Sequence, residues 1–308
     1  MINRVCIENE YGKLKKVVLG IAPTLYFPGS HEIEMEDESP WWKKVLTKFI
    51  YPVLERKKVP DFIVKKYQNE LKNLKEVLIS HGVEIINPKE VFCRTDETAG
   101  LGQMFSRDPV FCIGNHIIAG NLQIEMRRKE LRGFSNILSD FQKFRAAGNL
   151  NEDSFLEGGD VIVDYPYVYV GIGKYASNEK GLHWLENQVG QELKVIPVYL
   201  KNEGILHLDC CMTLIGEKQG IIHPNSLQKP LPYPLNTYNF IEVDDKTRSE
   251  LGTNVLMLDP TTIIVQKRHK ELQQELRSRG FNVIPLDFTW HARLDGAFRC
   301  VTCPIYRE

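Results

Sequence analysis

No uninterrupted apolar run in this 308-residue chain approaches the roughly 20 residues that a membrane-spanning helix requires. The first residues, Met1-Ile2-Asn3-Arg4-Val5-Cys6, meet Glu8 and Glu10 at once, so no apolar leader is expected either. Neither sign of charge prevails. Lys and Arg number 39 and Asp and Glu 40, for a formal net charge of −1, and the basic residues are scattered. That balance argues against a nucleic-acid surface and against a polybasic membrane tail. A disulfide framework is missing too. The seven cysteines (Cys6, Cys93, Cys112, Cys210, Cys211, Cys300 and Cys303) are odd in number and dispersed, which fits reduced thiols. These absences together predict a folded, cytoplasmic protein, long enough for one large or two ordinary domains, whose partner is a small molecule.

What is present is a recurring order of elements. Leu14 to Gly20 reads as a half-covered strand closed by glycine. Asp61 is placed to cap a helix whose apolar positions Tyr67, Leu71, Leu74 and Leu78 fall at helical spacing, with Gly82 ending it before the strand Val83 to Ile86. The same helix-then-strand order returns at Glu179 to Leu193 followed by 194–198, and at Lys267 to Arg279 followed by 281–284. Paired apolar runs around turn residues predict hairpins at 110–113/116–119, 161–163/167–170, 212–215/220–222 and 255–258/262–265. The result is about five hairpin-helix-strand units with a period of roughly fifty residues, in one closed α/β domain. From Pro23 to Pro60 the pattern breaks. Pro28, Gly29, the acids Glu32 to Glu38 and Trp41-Trp42 read equally well as a lid and as a solvated loop with a surface helix.

A repeat brings equivalent positions around one axis, so the polar residues just ahead of each hairpin should converge. These are Asp108, Asp160, Asp209 with His207, Asn254, and Cys300 at the start of the closing strand. Cys300 lies between Gly296 and the chain's last residues beside Arg299, a cation that would favour its thiolate. In Leu156-Glu157-Gly158-Gly159-Asp160 two glycines let the backbone approach a ligand, and in His207-Leu208-Asp209 an extended backbone would place both polar side chains on one face. Several carboxylates aimed at one point want a cation, a histidine supplies acid/base chemistry near neutral pH, and a cysteine supplies a nucleophile. A planar guanidinium suits such carboxylates because it takes bidentate contacts.

Four segments carry a resemblance: Phe105-Ser106-Arg107-Asp108, Leu156-Glu157-Gly158-Gly159-Asp160, Leu206-His207-Leu208-Asp209 and Arg299-Cys300-Val301-Thr302-Cys303-Pro304. In that order they resemble the signature segments of the guanidino-group-modifying superfamily of arginine deiminases, dimethylarginine dimethylaminohydrolases and amidinotransferases. The likeness runs from Glu10-Tyr11-Gly12-Lys13-Leu14 to the C-terminus. It implies a single catalytic domain over residues 1–308, with a lid or helical excursion at 23–60. The fold implied is a five-bladed α/β propeller, a pentein of pseudo-symmetric ββαβ-type units. Cys300 would attack the guanidinium carbon and His207 would protonate the leaving amine. Asp160 and Asp209 would hold the guanidinium nitrogens, Asp108 would contact the amino end of the substrate with Glu157 nearby, and Arg107 would join the substrate-binding set. Cys303 would be a neighbour of the nucleophile. No metal or organic cofactor is implied, and a homodimer is left open.

The branch of the superfamily stays divided. Residues 106–118 and 254–259 are similar to amidinotransferases, whereas Glu157-Gly158-Gly159-Asp160 and Cys300 to Ile305 are similar to deiminases. The first expectation is therefore amidino transfer from arginine or an arginine-like donor to an amine. The second is hydrolysis through the same intermediate. A third class is a non-catalytic or redox protein using Cys300 and Cys303 as a C-x-x-C pair.

Overall fold

The computed structural model describes residues 4–27, 51–54, 57–91, 102–144, 153–201 and 204–308. Within these residues five small sheets form: four of three strands and one of two. Two units follow the expected order throughout. Strands β5 (Val161–Asp164) and β6 (Tyr167–Ile172) pair antiparallel, a helix at Glu179–Val189 follows, and β7 (Lys194–Tyr199) lies parallel to β6. In the same way β11 (Leu256–Asp259) and β12 (Thr262–Gln266) pair, the helix Lys270–Ser278 follows, and β13 (Asn282–Leu286) lies parallel to β12. Both helices are shorter than expected at one end: the first stops at Val189, and the second starts at Lys270.

The remaining units depart from the repeat for local reasons. Strands β8 (Met212–Gly216) and β9 (Gln219–Ile222) form their hairpin, and β10 (Asn239–Glu242) lies parallel to β9. The link to β10 passes through short 3-10 turns at Pro224–Ser226 and Leu235–Thr237. Pro224, Pro230, Pro232 and Pro234 explain why, since each lacks an amide proton and breaks a helix interior. The hairpin β3 (Val110–Ile113) and β4 (His116–Ala119) has no third strand among the described residues. The last sheet joins the two ends of the chain. Strand β14 (Thr302–Arg307) pairs antiparallel with β1 (Leu14–Leu19), and β2 (Glu84–Ile86) lies parallel to β1.

The strands are buried on both faces. From β5, Ile162 enters one apolar cluster while Val161 and Val163 enter another; from β12, Ile264 turns one way while Ile263 and Val265 turn the other. Period-two alternation thus feeds one cluster along the middle and others between sheets. For the same reason β1 is buried almost throughout instead of half covered. Val17 and Leu19 join the first cluster and Val18 the second.

The helix Asp61–Ser80 packs Val64, Tyr67, Leu71, Leu74 and Leu78 inward at the expected spacing. Asp61 does not cap it. Pro60 occupies the cap position, where its fixed φ suits a helix start, and the Asp61 carboxylate pairs with Lys58 at 2.7 Å. Gly82 ends the helix at φ 74°, a left-handed conformation that only glycine adopts without cost. Most of the 23–60 excursion falls outside the described residues, and so the lid expectation does too. Its two ends are side by side: Phe27 N donates to Lys57 O at 2.9 Å, and Val59 N to Leu25 O at 2.8 Å. No helix among the described residues is long and apolar enough to cross a membrane.

Candidate active site

Each of the five sheets is preceded by a tight turn, and the turns are hydrogen-bonded to one another in a closed ring. Gly158 N donates to Asp108 O at 3.1 Å, and Leu208 N donates to Asp160 Oδ1 at 2.8 Å. Asn254 Nδ2 donates to Asp209 O at 3.3 Å, and Arg299 N donates to Asn254 Oδ1 at 2.9 Å. Arg107 N then closes the ring on Cys300 O at 3.0 Å. The ring brings together the polar residues that precede successive hairpins in the sequence.

Close approach of backbones explains the paired glycines. A Cβ at Gly158 would sit 2.0 Å from Arg107 O, and one at Gly159 would sit 2.7 Å from Cγ of the His207 ring. Both contacts are to neighbouring turns, so the absence of a Cβ lets the turns close on one another. His207-Leu208-Asp209 is not extended. Leu208–Cys210 is a 3-10 turn capped by His207, and the two polar side chains find different partners.

Cys300 is buried. Its Sγ accepts from Asn254 Nδ2 at 3.1 Å and lies 3.8 Å from both carboxylate oxygens of Asp209. Burial pushes the thiol pKa well above its ordinary value, and the charges of Asp209 and Asp108 push it further; the Ala297 backbone and Asn254 oppose them. Arg299 does not supply the expected activation. Its guanidinium turns away to Asp209 Oδ2 (2.8 Å), Glu10 Oε1 (3.1 Å) and Val161 O (2.5 Å).

His207 Nε2 is 2.9 Å from Glu157 Oε2, and Nδ1 is 4.0 Å from Asp108 Oδ1. Burial works against its charged form, but the charge of Asp108, the hydrogen bond it donates to Glu157 and the charge of Asp160 outweigh that and raise its pKa to about 10. Asp108 Oδ2 accepts from Arg127 Nη1 at 3.0 Å, and the buried Oδ1 has no hydrogen-bond partner. Asp160 is near enough for its charge to act on His207, yet its hydrogen bonds go elsewhere. Its oxygens accept from the amides of Leu208 (2.8 Å) and Ser177 (3.1 Å), and burial raises its pKa to about 7. Through these two amides Asp160 ties one turn to the next. Arg107 is likewise buried beneath the turns, with Nη2 4.0 Å from Glu10 Oε2.

Glu10 is the hub of this lower layer. Burial would raise its carboxyl, but the charges of Arg299, Arg107 and Arg307 outweigh burial and hold it down at about 2. Sequence reading missed three further groups. Arg127 is clamped by Glu130 through Nε–Oε1 and Nη2–Oε2 contacts of 3.2 Å each while it holds Asp108. Glu70, on the inner face of the long helix, accepts from Trp290 N (2.8 Å), His291 N (3.1 Å) and His291 Nδ1 (2.7 Å). It pins the short helix Thr289–Ala292 that leads into the Cys300 turn. Neither three-residue grouping with metal-ligand proximity among the described residues (His207, Asp209 and Cys210; Asp108, Glu157 and His207) includes Cys300 or Cys303. Both of those cysteines are free thiols.

A thiol, a charged imidazole and several carboxylates ringed by five turns are the equipment of an enzyme of the guanidino-modifying superfamily. The comparisons agree: residues 54–307 match the family described as N,N-dimethylarginine dimethylhydrolase, eukaryotic, and the chain belongs to it. It is 32% identical over 249 residues to the uncharacterized protein YkgA of Bacillus subtilis, covering 79% of this chain and 82% of that one. Its fold is similar to that of SxtG, an amidinotransferase from Microseira wollei in the saxitoxin biosynthetic pathway, with TM-score 0.82, 19% identity and coverage of 99% and 97% of the two chains. The inosamine-phosphate amidinotransferase of Streptomyces griseus superposes with TM-score 0.80 at 20% identity, covering 98% and 97%. The fold is thus the α/β fold of these enzymes, and the chemistry acts on an amidino group.

Proposed function

We propose that the chain is an amidinotransferase that carries the amidino group of arginine, or of an arginine-like guanidine, on Cys300. In this reading the five sheets are blades of a propeller, with the ring of turns at its mouth. The observation that carries the reading is the placement of Asp209 beside Cys300 Sγ, with the open Oδ1 of Asp108 beside His207. With their Oδ2 atoms held by Arg299 and Arg127, Asp209 and Asp108 each keep an Oδ1 to accept from a planar cation next to the sulfur.

Burial and the charges of Asp209 and Asp108 hold the thiol protonated; the docked cation offsets those two charges, so its arrival favours the thiolate, whose proton passes to solvent as the substrate enters. The thiolate then attacks the guanidinium carbon and a C–S bond forms. The bond to the leaving nitrogen breaks as that nitrogen takes the proton of His207, leaving a thiouronium on Cys300 and a neutral imidazole. An incoming amine gives a proton back to His207, forms its C–N bond, and releases the thiolate. Glu157, 2.9 Å from His207, orients the ring and stabilises its charged form. No step needs a metal or an organic cofactor.

A second reading is hydrolysis, favoured by the family description as a dimethylhydrolase over residues 54–307. Water then takes the place of the amine at the thiouronium carbon. Intact-mass spectrometry after rapid acid quench, with arginine and with or without candidate amines, separates the two. Transfer predicts an amidino-sized mass gain, absent in Cys300→Ser and discharged faster by an amine than by water. Discharge by water alone establishes the hydrolase, and absence of any adduct or product with guanidines removes both readings. The C-x-x-C alternative predicts that Cys303→Ser abolishes function while His207→Ala does not, the reverse of what covalent transfer predicts.

A further inference from the structure

We infer that Asn254 is the side chain that stabilises the Cys300 thiolate, by donating its amide proton to the sulfur while its oxygen fixes the turn that carries the cysteine. Asn254 is buried, and its amide can be oriented in only one way. Oδ1 faces two backbone amides, Arg299 N at 2.9 Å and Cys300 N at 3.3 Å, and only an oxygen can accept from both. Nδ2 must therefore point the other way, where Cys300 Sγ lies at 3.1 Å and Asp209 O at 3.3 Å.

The need for such a donor follows from the rest of the sulfur's surroundings. The carboxylate of Asp209 lies 3.8 Å away, and the nearby Arg299 spends its charge elsewhere, on Asp209 and Glu10. A fixed N–H aimed at the sulfur gains strength when the sulfur becomes anionic, because hydrogen bonds to a charged acceptor are roughly twice as strong as neutral ones. It costs nothing to reorganise at that moment, because the two backbone amides already hold the carboxamide in place.

The test separates this role from a merely structural one, and it rests on the reading of Cys300 as nucleophile without depending on turnover. Asn254→Asp keeps an oxygen for the two backbone amides, removes the donor to sulfur and adds a negative charge beside it. Alkylation of Cys300 by iodoacetamide, assigned by peptide mass and followed across pH, should be at least about tenfold slower in Asn254→Asp at a given pH below the midpoint, with the midpoint displaced upward by one unit or more. Thiolate ultraviolet absorbance, measured as the difference from the matching Cys300→Ser protein, reads the same midpoint without reagent access. A folded Asn254→Asp protein with the wild-type midpoint overturns the inference. If that variant does not fold, the wild type still decides. The Asn254 side-chain amide proton, followed by NMR, should move downfield as Cys300 ionises, and a proton that stays put overturns the inference. A shifted midpoint in a protein that forms no amidino adduct would count against the proposed reaction, not against this role.

Discussion

Glu157 and His207 make the most direct claim on activity. The imidazolium lies below three carboxylates and keeps its proton up to about pH 10, against an ordinary 6.5. As a raised group it contributes stability that is present below pH 6.5 and is lost as the pH rises through 10. If His207 is the acid of the proposed first half-reaction, it should set a basic limb near the same value. Glu157→Gln removes one supporting charge and leaves the geometry, so the basic limb of the pH–rate profile should move toward neutral pH; an unmoved limb would exclude Glu157 from this part. These residues were legible in the sequence because they sit on short turns ahead of apolar hairpins. Arg127, Glu130 and Glu70 were not, because they lie on helical segments where an acid or base is ordinarily solvated, and only the tertiary contacts show them buried. The Arg299 misreading has the same origin. Adjacency in sequence says nothing about which way a side chain turns.

At the scale of elements, the turns and the helices behind them should separate by mutation. Gly158→Ala drives a Cβ against Arg107 O and parts two links of the ring, so it should lower both melting temperature and the rate of amidino-adduct formation. Leu276→Ala, on the buried face of Lys270–Ser278, removes apolar burial from the cluster that the helix shares with β11 and β12 and no group of the ring itself. It should cost about 2–5 kcal/mol in denaturant unfolding and leave the pH–rate profile in place. Hairpins and long helices were readable because alternation and helical spacing report burial directly. Pro60 displacing Asp61 as the cap was not readable, since either residue type opens helices and only the dihedral angle separates them. The hairpin β8–β9 and the strand that joins it across a proline-rich stretch show the repeat surviving without its helix, because the parallel pairing of β10 needs length in the connection and not helicity.

For the whole molecule, the buried charge layer ties acid stability to one carboxylate. The Glu10 carboxyl falls from an ordinary 4.5 to about 2 on folding. The sign follows: a depressed acid contributes stability above pH 4.5 that is lost as the pH falls through 2, in all about 3 kcal/mol. Glu10→Gln should unfold at lower denaturant concentration at pH 7, and the gap from wild type should narrow in acid. Because β1 pairs with β14, the Cys300 turn cannot form before distant parts of the chain meet. Exposure of Cys300 to pulse alkylation during denaturation should therefore track the loss of circular dichroism, and an earlier exposure would mean that the turn opens on its own.

The same pairing has a consequence on the ribosome. Strand β1 leaves the exit tunnel early, whereas β14 is made only after most of the chain, on the order of 15–60 s later at ordinary elongation rates. Through that interval Leu14–Leu19 offers an apolar strand with one edge unsatisfied, the geometry that recruits foreign strands. An unpaired β1 is thus expected to attract chaperones during synthesis, while the Cys300 turn is not held in place until β14 pairs with β1.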